Sequence, residues 1–151
     1  MQLHLRTLVL AVAGWALIAS AQVDRLSPAL RRRGETVASK LEAYLRSQQD
    51  NATGGWRANP EGVTFPAITG LVLNGMLLNP DADAESEHVR EAVDFLLSFQ
   101  QDDGGIYDTV LPSYNTACAI SALSRVRTPE AQRAVAEALE LQLTLQWSNQ
   151  P

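Results

Sequence analysis

The sequence predicts an all-α chain in which amphipathic helices alternate with helices that carry no charge. Three observations lead there. Apolar residues recur with helical period along three stretches, and nowhere does the apolar/polar alternation of a strand appear. Two segments, FPAITGLVLNGMLL at Phe65–Leu78 and LPSYNTACAISALS at Leu111–Ser124, contain no charged residue. One phrase is also written twice, SQQDNATGGW at Ser47–Trp56 and SFQQDDGGIY at Ser98–Tyr107. A turn phrase that returns after about fifty residues, between helices of two kinds, is the mark of a repeat architecture.

The elements follow in order. Met1–Ala21 has a short polar start with Arg6, an apolar run from Leu8 to Ala19, and the small-x-small string Ala19-Ser20-Ala21. That is the pattern of an export leader cleaved before Gln22. Leu8–Ala21 would rise only about 21 Å as a helix, short of a bilayer core of roughly 30 Å, so no transmembrane segment is expected after cleavage. Residues 22–34 are expected to be an extension, 35–147 one repeat domain, and 148–151 a tail. The expected location is the periplasm or the extracellular space.

The first amphipathic helix is expected from Glu35 to Gln49, with Val37, Leu41, Tyr44, Leu45 and Gln48 on one stripe. The second runs from Glu87 to Gln101, with Val89, Ala92, Val93, Leu96 and Leu97 on the matching stripe. A third begins at Thr128, an N-cap followed by Pro129 and Glu130, and continues through Val135, Leu139, Leu141 and Leu145 to Gln146. These read as outer helices with one buried face. The two charge-free segments read as inner helices, apolar or small all round and so covered all round. They align at a spacing of 47, with Thr69 on Thr116, Gly70 on Ala117 and Gly75 on Ala122. Small residues at those places would let neighbouring helices approach closely.

The doubled phrase sits where an outer helix hands over to an inner one. Gly54-Gly55 and Gly104-Gly105 allow the positive φ that ends a helix and turns the chain. The glutamines before them offer hydrogen bonds to backbone groups that a helix end leaves unpaired. Trp56 and Tyr107 supply apolar surface to pin the returning segment.

Removing the leader takes one basic residue, Arg6, and leaves eleven basic against seventeen acidic residues, a net charge of −6. That balance argues against nucleic acid and anionic lipid as partners. Cys118 stands alone, which excludes an intramolecular disulfide and suits a small buried hydrophobe. Asp50, Asp102 and Asp103 beside Gly-Gly are ordinary turn composition rather than a metal site.

These residues resemble the repeats of the terpenoid cyclase and protein prenyltransferase superfamily, whose QW motif runs basic residue, small residue, aromatic, aliphatic, Gln, then Gly-x-Trp. The first unit matches with Lys40, Tyr44, Leu45, Gln49, Gly54 and Trp56, departing at Leu41. The second matches with Arg90, Phe95, Leu96, Gln100 and Gly104, with Ile106 and Tyr107 in place of the tryptophan. In the third, Leu141 replaces the aromatic and Gln146 survives. The resemblance implies a partial α/α toroid of about two and a half hairpins. It also implies a structural role for Tyr44, Gln49, Gly54, Gly55, Trp56, Phe95, Gln100, Gly104, Gly105 and Tyr107.

The family's chemistry does not map onto this chain. The Asp-x-Asp-Asp acid of squalene-type cyclases has its nearest string in Asp81–Glu85, where Ala84 stands in the fourth place and a turn leads to Ser86. The prenyltransferase zinc set fails because Thr116, not Asp, precedes Cys118 by two residues and no histidine follows His88. No catalytic residue, metal or cofactor is therefore expected. Repeat stacks need about three units and covered ends, so two and a half hairpins should self-associate, pack on a protein partner, or be part of a longer chain. The expected function is an exported, non-catalytic repeat module. The alternative is a piece of a cyclase- or prenyltransferase-like enzyme with an apolar substrate, whose cavity Thr64, Phe65, Thr69, Tyr114, Asn115 and Thr116 would line.

Overall fold

The computed structural model describes residues 27–79 and 82–146. Among them run five helices: α1 (Pro28–Ser47), α2 (Pro66–Leu77), α3 (Glu87–Leu97), α4 (Pro112–Leu123) and α5 (Pro129–Thr144). No strand occurs among the described residues, and the bridges Arg57–Thr64 and Gln100–Ile106 are isolated pairs. The fold class is all-α. Contacts divide the chain into two compact units, Met1–Leu41 and Glu42–Pro151. The expected leader, the tail at 148–151 and Asp81 of the acidic string lie outside the described residues.

Local chemistry explains four of the five helix starts. Four of the five begin on proline, whose fixed φ suits the first helical position and whose missing N–H would be unpaired there anyway. The Thr128 hydroxyl accepts the Ala131 N–H at 3.3 Å, the cap expected for α5. Ser27 does the same for α1, accepting from Leu30 at 3.3 Å. That helix starts at Pro28, inside the stretch read as an extension.

The two charge-free helices lie side by side and make the most extensive helix contact in the molecule. A Cβ on Gly70 would stand 2.7 Å from the Cys118 carbonyl, so the backbones themselves touch. Gly75 and Ala117, expected to share that role, do not: nothing lies near Gly75, and Ala117 is exposed. Each amphipathic helix then folds back on the charge-free helix preceding it, α3 on α2 and α5 on α4. Leu73, Leu96, Ile106, Leu123 and Val89 are buried completely or nearly so and form the centre of the core. Burying each such side chain contributes about 1.5–3 kcal/mol.

Three expectations about burial need correction. The charge-free helices are not covered all round, because Leu71 of α2, Leu78 at its C-cap and Tyr114 of α4 are exposed. In α5 the buried stripe is Ala131, Ala134 and Ala138, whereas Leu139 and Leu145 face outward. The small residues let α5 approach α4 closely; Leu139 and Leu143 fall on the other side, while Leu141 lies half-buried against the Gly105 turn. In α1 no residue is buried. Val37, Leu41 and Tyr44 are all exposed, and of the expected apolar stripe Leu45 alone packs against the core.

Candidate functional site

The two Gly-Gly turns are the sites that the sequence repeats, and the structure builds both the same way. Gly54 (φ 77°) and Gly104 (φ 84°) occupy the left-handed region, which an L-residue enters only at a cost. A Cβ on Gly54 would lie 2.5 Å from the Glu91 carbonyl oxygen, and one on Gly104 would lie 2.8 Å from that of Glu137. The turn that closes one unit thus sits directly on the backbone of the next amphipathic helix. A Cβ on the second glycine of each pair would meet a side chain of that same helix, the Phe95 ring at 2.9 Å from Gly55 and the Leu141 methyl at 2.5 Å from Gly105. Glu91 and Glu137, like Phe95 and Leu141, are 46 residues apart, so the two interlocks share one register.

The segment after each turn is anchored by a threonine. The Thr69 hydroxyl accepts the Trp56 N–H at 3.0 Å, and the Thr116 hydroxyl accepts the Ile106 N–H at 3.0 Å. Trp56 is buried, and its indole N–H donates to the Leu45 carbonyl at 2.7 Å, tying the return segment to the end of α1. Ile106, not Tyr107, fills the equivalent buried place. Tyr107 instead lies half-buried and donates its hydroxyl hydrogen to Asp103 at 2.6 Å. That bond is the main reason the Asp103 carboxyl sits below its ordinary pKa and the Tyr107 phenol above.

The glutamines also reach backbone, one of them across units. The Gln49 amide donates to the Gly54 carbonyl and to the His88 carbonyl, both at 2.8 Å. Gln100 instead donates to the Glu137 carboxylate at 2.6 Å. The His88 imidazole is held below its ordinary pKa by burial and then by the Arg46 guanidinium.

Of the six residues read as lining a cavity, three do not face open space, and Thr64 and Phe65 are half-buried. Thr69, Asn115 and Thr116 are completely buried. Asn115 joins three backbone segments: its Oδ1 accepts the Ala67 N–H at 2.9 Å, and its Nδ2 donates to the carbonyls of Val110 at 2.8 Å and Leu111 at 3.0 Å. It thereby fixes the entry to α2 and holds Leu111 in the left-handed conformation, φ 51°, from which α4 starts. Tyr114 alone is exposed. No buried polar side-chain atom among the described residues lacks a hydrogen-bond partner.

The turn acids are likewise occupied. Asp50 accepts from the N–H groups of Ala52 and Thr53, from the Thr53 hydroxyl and from Arg57. Partial burial acts to raise its pKa, but these donors hold the carboxyl below the ordinary range. Among the described residues no cluster of three His, Cys, Asp or Glu side chains is placed to hold a metal ion. Cys118 lies buried where α4 meets Gly70; burial pushes its thiol pKa up, with a hydrogen bond from Tyr114 acting the other way. A thiol so placed is a poor nucleophile.

What stays open to a partner is apolar helix surface. Leu71, Leu78 and Tyr114 of the charge-free segments are exposed, as are Val110 and Leu111 just before α4. Val37, Leu41 and Tyr44 lie along α1, and Leu139 and Leu143 along α5. No described helix is long and apolar enough to cross a membrane. No family model matches this chain, and it has no match among curated proteins or solved structures.

Proposed function

We propose that this chain is an exported, non-catalytic helical-repeat module of the squalene-cyclase and prenyltransferase repeat type, an α/α-toroid segment that works by associating with itself or with a protein partner. The supporting observation is the paired charge-free helices. They meet backbone to backbone at Gly70 and still expose Leu71, Leu78 and Tyr114. Apolar surface presented on a rigid pair, with no charge on either helix, is characteristic of an interface. The polar groups of the turns support the same reading, since their side chains are engaged in building the fold.

Light scattering coupled to size-exclusion chromatography tests this on the chain from Gln22 onward. The expected result is a concentration-dependent dimer or larger species, converted to monomer by Leu71→Glu with Tyr114→Glu while the helical circular dichroism is kept. A monomer at every concentration that binds no apolar dye would refute the proposal.

A further inference from the structure

A groove of about 460 Å³ lies along α3, where the loops before α3 and before α5 pass it. Its floor is apolar: Val93 and Val126 are buried at the base, and Leu97 is half-buried beside them. Around its mouth stand Glu85, Arg90, Asp94 and Glu130, all exposed. Elsewhere carboxylates are engaged, Glu42 by Arg46 and Asp50 by Arg57. Among the described residues the three at this mouth form no ion pair and no side-chain hydrogen bond.

The repeat shows that the fold itself does not require this floor. Aligned through Gln49 and Gln100, Val93 corresponds to Glu42, and at the spacing of 47 Val126 corresponds to Asn79. In the first unit those two are joined, the Asn79 amide donating to the Glu42 carboxylate at 3.2 Å. The second unit puts a valine in each place. A polar closure has become an apolar base under a ring of unpaired charge.

We infer that this groove binds a basic, apolar segment of a protein partner. The aliphatic stem of a lysine or arginine lies on Val93 and Val126, and its cation meets Glu85, Asp94 and Glu130. Long basic side chains bury their stems on apolar surface while the charged head stays at the water. Three carboxylates against the one Arg90 guanidinium select a cation and reject an acidic segment. Exposed ion pairs alone hold little, so the apolar floor is needed as well. This site adds a second surface to the proposed function, and rests on that reading for the existence of a protein partner.

Fluorescence anisotropy of the full chain with a labelled peptide of alternating leucine and lysine pairs tests it. Saturable binding is expected, weakened at least about tenfold when serine replaces each leucine or when the chain carries Glu85→Lys with Asp94→Lys. That variant should instead bind the peptide in which glutamate replaces each lysine. Asp102→Lys with Glu140→Lys makes the same change in net charge away from the groove and should leave the affinity unaltered. Absence of saturable binding, equal affinity for the serine peptide, or equal weakening by the distant pair overturns the inference. The Leu71→Glu, Tyr114→Glu variant should still bind the peptide, so this site and self-association can fail separately.

Discussion

Gly54→Ala is expected to destabilise the protein by about 2–5 kcal/mol. Two costs add. An L-residue at φ 77° is strained by about 1–2 kcal/mol. The new Cβ also lands 2.5 Å from the Glu91 carbonyl oxygen and 2.8 Å from its carbon, and a helix backbone cannot give way as a flexible side chain does. Overpacking of that kind costs about 1–3 kcal/mol. Since a domain's total stability is only about 5–15 kcal/mol, the variant should lie near its unfolding threshold. Gly75→Ala makes the natural contrast. That glycine lies in the last turn of α2 with nothing within 4 Å of its Cβ position. Relief of glycine's entropy cost should stabilise the protein by up to about 1 kcal/mol. Urea unfolding of both variants checks the pair, with midpoints moving in opposite directions at unchanged slope.

The second large effect is expected at Asn115. Asn115→Ala removes one acceptor and two donors from a completely buried position, leaving the Ala67 N–H and the Val110 carbonyl without their partner and the Leu111 carbonyl with only the backbone N–H of residue 115. Each buried group so abandoned costs about 1–3 kcal/mol unless water reaches it, and a total of about 2–4 kcal/mol is expected. Asn115→Asp should be no better, although it keeps the shape. A carboxylate has no N–H for the two carbonyls and would be charged in a dry site. The substitution should also loosen Leu111 at φ 51°, since the side-chain amide is one of the two donors to that carbonyl. Tyr114→Ala, one residue earlier but exposed, should change stability by less than about 0.5 kcal/mol. Thermal unfolding followed by circular dichroism separates the three.

Much of this architecture was legible in the sequence because it rests on local chemistry. The doubled Gln…Gly-Gly phrase marked both turns. Thr128-Pro129-Glu130 marked the start of α5, and the absence of charge marked the helices that lie against each other. What was not legible depends on neighbours. Helical periodicity finds the stripe Val37, Leu41, Tyr44 as readily as Val89, Ala92, Leu96, but only packing decides whether a stripe is buried. In α5 the hydropathy of leucine outweighed alanine, while the close approach to α4 selects Ala131, Ala134 and Ala138.

The threonines show a different limit. Thr69 and Thr116 aligned at a spacing of 47, and an uncharged polar residue on an inner helix suggested a cavity wall. Their hydroxyls instead accept the first N–H after each Gly-Gly turn. That N–H points into the core and must be paired there. A signal was present, in that one threonine stands near the start of each charge-free helix that follows a turn, but its meaning needed the hydrogen-bond geometry. Asn115 has no such recurrence, since Ile68 holds the corresponding place in α2.

Native-state amide exchange resolved to single residues tests most directly whether one interlock is built twice. The Trp56 and Ile106 N–H groups, each ending on a buried threonine hydroxyl, should exchange only through global unfolding, together with Leu73 and Ala119 at the centres of α2 and α4. Exchange of either at the rate of an open loop, while α2 and α4 remain protected, would show that the two turns are not equivalent fixtures of the fold and would contradict the account.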